Sequence, residues 1–219
     1  MFNQPEARLA LQAYELVLEM ILSRQIKPGS LIQERRLADH LQMSRTPVRD
    51  ALLMLEGEGL LVRSEGRGLQ VRFMDMKDFV DNLVVRELIE PEAARLCIGN
   101  IDNDALEQLE AQLNELLDMA RSSAPVPERS YVRMVDRTLH DMIAVGSGNM
   151  QIATIIRMLR NQTKIFDVRS IPERLEATCL EHMEIVKALK QGKGEDAAIA
   201  MRNHLAGVRQ SIISHLAGS

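Results

Sequence analysis

The sequence predicts a mainly α protein in two parts: a short helical segment closed by a β-hairpin, then an all-α bundle of about six helices. Three observations carry this expectation. Apolar residues recur at helical spacing along most of the 219 residues. Pro- and Gly-containing breaks cut those runs into helix-length pieces. Strand character is confined to Leu60–Arg63 and Leu69–Arg72, which flank Ser64-Glu65-Gly66-Arg67-Gly68.

Element by element, Glu6 to Gln25 reads as a helix with Leu11, Tyr14, Leu18 and Ile21 or Leu22 inward, stopped at Lys27-Pro28-Gly29. A second helix fits Gln33–Gln42, with Leu37, Ala38 and Leu41 inward. A third fits Arg45–Glu58, with Val48, Leu52 and Leu55 inward. Ser44 or Thr46 can cap it, and Pro47 suits a first turn because the N–H it lacks would be unpaired there. Gly57 and Gly59 end it. Helix, tight turn, basic helix and glycine-tipped hairpin, in that order, make a winged helix-turn-helix. Further helices fit about 76–98, where Pro91 is expected to kink the helix, and 103–121, 129–146, 149–168, 172–191 and 195–217. Leu106, Leu109, Leu113, Leu116 and Leu117 form one apolar stripe. The expected domains are 1–75, the winged helix-turn-helix, and 76–219, the helical domain.

Bulk properties narrow the class. No apolar run approaches the ~18 residues that span a membrane, and Met1 to Arg8 lacks a secretion signal; a cytoplasmic protein without membrane partners is expected. Cys97 and Cys179 are too few for a disulfide scaffold and read as small buried hydrophobes. Aromatics are 3%, with no Trp, so the stacking platforms of single-strand or RNA binders are missing. The net charge of −4 gives no support for DNA binding, and Met1 to Asp75 is neutral, with 10 basic and 10 acidic residues. The case rests on where the arginines sit.

In a helix-turn-helix, the start of the second helix enters the major groove. Here it carries Ser44, Arg45, Thr46 and Arg49. Arg45 and Arg49 are i and i+4 and share a helical face. Arginine's planar fork can bond guanine O6 and N7 together or clamp a phosphate. The hydroxyls of Ser44 and Thr46 and the helix amides suit phosphate oxygens. Arg35 begins the preceding helix, where backbone contact is expected, and Gly66 and Arg67 at the hairpin tip can approach the minor groove. Double-stranded DNA is the implied partner.

These residues carry a resemblance. Glu34-Arg35-Arg36-Leu37-Ala38, Ser44-Arg45-Thr46-Pro47-Val48-Arg49-Asp50-Ala51-Leu52 and Leu55-Glu56-Gly57-Glu58-Gly59-Leu60 resemble the GntR family of bacterial transcription regulators over about 8–73. The resemblance implies a homodimer on a palindromic operator, with DNA contacts at Arg35, Ser44, Arg45, Thr46, Arg49, Gly66 and Arg67. One departure is Gln42, which stands where the family's turn usually carries glycine. If that position needs φ > 0, Gln costs roughly 1 kcal/mol.

In the second part, Asp136 and His140 are i and i+4 on one helix, and His182 and His204 lie on two successive helices. Three imidazoles and a carboxylate from three helices can converge on one divalent ion, and N/O ligand sets suit Zn, Ni, Co or Mn. From spacing alone, histidines hydrogen-bonded in core or surface positions remain the alternative. His40 reads as structural or near phosphate. His215, 11 residues after His204, would lie about 16 Å away along a helix. Cys179 stands one turn before His182 but suits the core. Arg86 lies on an inward stripe and needs an anionic partner: either Glu90 at i+4 or an effector carboxylate. Arg133, one turn before Asp136, is a weaker candidate of the same kind.

Asp-x3-His, the two later histidines, Arg86-Glu87-Leu88-Ile89-Glu90-Pro91-Glu92-Ala93-Ala94 and Gly148-Asn149 resemble the FCD domain of the FadR branch of GntR regulators, over about 78–215. Six helices would match its shorter, VanR-like subgroup. The resemblance implies a metal site of Asp136, His140, His182 and His204, and it favours an effector at Arg86. The function expected is a ligand-responsive transcription regulator, in the repressor direction, controlled by a small carboxylate. Two other readings stay open: a metal-dependent enzyme with an appended DNA-binding module, and a DNA binder whose metal is purely structural. No nucleophile motif or spare general base supports the enzyme.

Overall fold

The computed structural model describes residues 4–64, 66, 68–122, 127–165 and 174–217, with the side chains of 4–6 and 215–217 left aside. Among these residues the order is α1 (Gln4–Leu22), α2 (Glu34–Leu41), α3 (Arg45–Gly57), β1 (Leu61–Ser64), β2 (Gly68–Val71), α4 (Met76–Leu96), α5 (Asn103–Arg121), α6 (Arg129–Gly146), α7 (Met150–Ile165), α8 (Leu175–Lys190) and α9 (Gly194–Ala217). The mainly α class, with a winged helix-turn-helix followed by helices, is as expected. No described helix is long and apolar enough to cross a membrane.

Contacts divide the chain into two compact units: Met1–Phe79 with Arg160–Phe166, and Val80–Leu159 with Asp167–Ser219. In the first unit, α1 packs on α3 and α2 on α3. The core gathers Ala13, Tyr14, Val17 and Ile21 of α1, Leu37 and Ala38 of α2, and Val48, Ala51, Leu52 and Leu55 of α3. Leu60, Leu61, Val71 and Ile165 complete it. Leu11 was expected inward but is 52% exposed, whereas Ala10 and Ala13 are buried. Small side chains let α1 approach its neighbours closely, so the buried face follows the alanines rather than the largest hydrophobe. Leu60 N–H bonds the Leu55 carbonyl at 2.9 Å and Gly59 N–H bonds Glu56 at 2.9 Å, a glycine-terminated helix end with Gly59 at φ +70°. Strands β1 and β2 are antiparallel, pairing Leu61 with Val71 and Ser64 with Gly68.

The side chains of Asn161 and Gln162 also belong to the first unit. Asn161 Nδ2 donates to Tyr14 Oη at 3.3 Å, Gln162 Nε2 donates to the Glu58 carbonyl at 2.5 Å, and Arg24 Nη2 donates to the Ile165 carbonyl at 2.7 Å. These contacts span 104 to 147 residues of sequence, too far for periodicity to register.

In the second unit, α8 packs on α9, and α5 packs on α8 and α6. The α5 leucine stripe is buried in full, against Val135, Leu139 and Ile143 of α6 and Ile185, Val186 and Leu189 of α8. Asp102 caps α5 by accepting from Asp104 N–H. Asn149 Oδ1 accepts from the amides of Gln151 and Ile152 at 3.0 and 3.3 Å, and Gly148 turns into that cap at φ +71°. This is the local reason for the Gly148-Asn149 pair. Helix α4 continues through Pro91.

Candidate DNA-reading face and histidine centre

Helices α2 and α3 meet at Gln42, which takes φ 54° and ψ 38°, the left-handed conformation. Its amide hydrogen-bonds the last carbonyls of α2, so the expected positive φ is present without glycine. Ser44 occupies the cap position of α3 but makes no side-chain cap bond; the cap expected of it is not formed, and its hydroxyl is exposed, as are Thr46, Arg45, Arg49 and, on α2, Arg35. Pro47 lies in the first turn and is buried. Gly66 is exposed at the hairpin tip with φ +68°. Arg67 lies outside the described residues.

Sequence reading missed the partner of the two arginines. Arg45 Nε reaches Glu34 Oε1 at 3.1 Å, and Arg49 reaches Glu34 Oε2 through Nε and Oε1 through Nη2, both at 3.2 Å. The Arg49 hydrogen bonds, and then those of Arg45, hold the Glu34 carboxyl below its ordinary value against the opposing effect of burial. One carboxylate thus holds both guanidinium groups side by side on the outer face of α3, 64% and 60% exposed.

In the second unit, His140 of α6, His182 of α8 and His204 of α9 converge. Each is nearly fully buried, and one ligand nitrogen from each lies within 4.8 Å of the others. His182 and His204 approach Nε2 to Nε2 at 3.2 Å. Two nitrogens bound to one ion at about 2.1 Å stand roughly 3–3.4 Å apart in octahedral or tetrahedral geometry, so this spacing fits a shared cation. Asp136 is the fourth expected ligand. It lies at the margin, about one-third exposed, with Oδ1 3.8 Å from His140 Nε2.

Two carboxylates orient the rings. Glu90 Oε2 hydrogen-bonds His140 Nδ1, and Glu181 Oε2 bonds His204 Nδ1 at 2.8 Å. A carboxylate only accepts, so each Nδ1 carries the proton and each Nε2 lone pair turns toward the centre, the arrangement of a carboxylate–histidine–metal chain. Burial, then the repulsion that a second protonated ring would meet beside His140, push the His204 pKa well down, which keeps the neutral form a ligand requires. The residues therefore fit a divalent ion.

Behind the carboxylates stand two arginines. Arg86 Nε donates to Glu90 Oε1 at 2.6 Å, both side chains being buried, so of its two expected partners Glu90 is the one in place. Arg174 donates to both Glu181 oxygens at 2.9 and 2.7 Å. Burial raises the Glu181 pKa, and Arg174 opposes that shift. Arg133 is half-buried one turn before Asp136 and His40 is exposed, while the His215 side chain lies outside the described residues. Cys179 is buried and outside the histidine cluster. The sequence offers Glu90 as a partner of Arg86 but does not signal its bond to His140, and it gives no signal for Glu181 or Arg174. Glu181 adjoins His182 but serves His204, so its role follows from how α8 meets α9.

A winged helix-turn-helix followed by a helical bundle defines a class: regulators that read DNA. Comparison with known proteins gives the family. Residues 9–71 match the model described as bacterial regulatory proteins, gntR family, and residues 81–207 match the FCD domain. The chain is 26% identical to the uncharacterized HTH-type transcriptional regulator YdhC of Bacillus subtilis over 86% of its own length and 83% of that protein. It is 25% identical to the HTH-type transcriptional repressor RspR of Escherichia coli, over 92% and 87%. The structure of E. coli McbR/YncC shares the fold at a TM-score of 0.75, with 22% identity over 96% of this chain and 97% of that one. The chain belongs to the gntR family of bacterial regulatory proteins, in the group that carries an FCD domain. It is a DNA-binding transcription regulator, not an enzyme.

Proposed function

We propose that this regulator binds a palindromic operator as a homodimer, in the cytoplasm, and that a small carboxylate held at a metal centre in the helical domain controls its grip. The domains in this reading are 1–75 and 76–219. DNA contacts fall on Arg35, Ser44, Arg45, Thr46, Arg49, Gly66 and Arg67. Supporting this, the described side chains among them are exposed, with Arg45 and Arg49 paired on one face. The phosphate contacts position the helix while the arginine forks read base edges.

The observation that carries the effector half is the convergence of three buried imidazoles, two of them oriented by carboxylates. His140, His182 and His204, with Asp136, would hold Zn, Ni, Co or Mn, which supplies positive charge for an incoming carboxylate. Arg86, through its terminal nitrogens, and Arg133 would pair the same carboxylate. Their positive charge on the helical wall favours an anionic ligand over a neutral one. Occupancy shifts the population of bundle conformations and with it the stance of the two reading helices on DNA. A repressor released by its effector is the direction we propose; the relative RspR is named a transcriptional repressor.

The test is selection of bound duplexes from a random pool, followed by anisotropy titrations. A palindromic motif should emerge. Arg45→Ala or Arg49→Ala should abolish binding while leaving the circular dichroism spectrum intact, and unchanged affinity would refute the reading face. For the centre, purified protein dialysed against chelator and reloaded should bind about one divalent ion per chain. Asp136→Ala and His182→Ala should lose both metal and acid response. Loss of metal with an intact acid response would make the ion purely structural.

A further inference from the structure

We propose that Arg174 and Glu181 are a positioning pair that fixes the tautomer of His204, and so decides whether its Nε2 can serve as a ligand. The inference rests on the metal reading above and extends it to residues outside the ligand set. Glu181 Oε2 accepts from His204 Nδ1 at 2.8 Å, and Arg174 Nη2 donates to both Glu181 oxygens at 2.9 and 2.7 Å. Arg174 Nη1 donates to Ser211 Oγ of α9 at 2.8 Å. The guanidinium is thus pinned at both ends and leaves the carboxylate one geometry.

An independent feature points to the same pair. Gly207 lies inside α9, where glycine is about 1 kcal/mol less favourable than alanine. A Cβ there would stand 2.8 Å from Arg174 Nη2 and 3.0 Å from Glu181 Oε1. The missing side chain is the notch through which the pair crosses the helix. Without Glu181, the buried His204 Nδ1–H has no acceptor. The ring can then move its proton to Nε2, with the shared hydrogen bond to His182 Nε2, 3.2 Å away, reversing its direction as His182 shifts its own proton to Nδ1. That proton would occupy the lone pair the ion needs, and residues that orient metal-bound histidines typically change affinity 10- to 100-fold.

The experiment uses metal-free full-length protein with 15N-labelled histidine, read by long-range proton–nitrogen correlation, followed by zinc titration in a calorimeter. Wild type should show His204 as the Nδ1–H tautomer. Glu181→Met should populate the Nε2–H tautomer and weaken zinc at least tenfold. Gly207→Ala favours the helix while its Cβ displaces the pair, and circular dichroism checks that the variant is folded. It should shift the tautomer toward a mixture and weaken zinc by a smaller factor, a pairing that a general packing role would not produce. Persistence of Nδ1–H in both variants, with zinc affinity within twofold of wild type, overturns the proposal. If wild type takes up no zinc while Glu181→Met still changes the tautomer, the metal reading fails and the positioning role stands.

Discussion

His182 and His204 face one another Nε2 to Nε2 at 3.2 Å between α8 and α9, both buried. With Glu181 holding the His204 proton at Nδ1, the metal-free protein must place the shared proton on His182. A cation replaces that single hydrogen bond with ligand bonds to both rings. Zinc should therefore raise the thermal midpoint, by an amount corresponding to about 2.7 kcal/mol at a hundredfold excess over Kd, and chelator should reverse the shift. His182→Ala should show no zinc-dependent shift in scanning calorimetry; a shift as large as that of wild type would remove these histidines from the ligand set.

Glu34 pairs with both Arg45 and Arg49, so under the proposed DNA contacts a duplex competes with it. Glu34→Gln removes the competing charge and should tighten binding to duplex DNA by up to about fivefold, the scale of an exposed ion pair of up to ~1 kcal/mol. Folding stability should change by less than ~1 kcal/mol for the same reason. The pKa of Glu34 is lowered from 4.5, so its contribution to stability is intact above pH 4.5 and fades only below it, as the carboxyl protonates in the fold. Anisotropy titrations at several salt concentrations check the first claim. Weaker binding by the variant would mean that Glu34 pre-organises the arginines instead.

Gln42 is exposed and holds φ 54°. Gln42→Gly should stabilise the protein by about 0.5–1 kcal/mol, because the relieved left-handed strain outweighs the added freedom of the unfolded chain. Arg24 shares the conformation, at φ 66°, yet its guanidinium bonds the Ile165 carbonyl at 2.7 Å; Arg24→Gly should destabilise. Urea unfolding of the two variants should therefore give opposite signs, and equal signs would refute the account.

Cys97 and Cys179 are buried, and burial pushes both thiols up to about 11. At pH 8 the thiolate fraction is about a thousandth, and both thiols are buried. Maleimide should label neither cysteine in native protein over hours and both once the chain is unfolded in urea. Fast native labelling at pH 8 would contradict the packing of α4 or α8.

The helices were legible because their periods are local. The α5 stripe from Leu106 to Leu117 is buried as its spacing demands, and Gly59 ends α3 where the sequence places the stop. The histidines were legible as ligand types, and Gln42 as a glycine-like turn. Leu11 is exposed because side-chain size alone does not set burial, and the buried face of α1 runs through Ala10 and Ala13. Glu90 lies 50 residues from His140, Glu181 lies 23 from His204, and Glu34 lies 11 and 15 from its arginines. No repeat ties such pairs together, so their roles were out of reach.

The amino-acid order alone determined the class of the fold, the helix that carries the exposed arginines and the presence of three imidazoles on three helices, because backbone hydrogen bonding and side-chain periodicity act over a few residues. Tertiary structure decided which carboxylates His140, His204 and the guanidinium groups meet, and therefore which nitrogen of those two rings keeps its proton. Those choices depend on distances of about 3 Å between segments that only packing brings together.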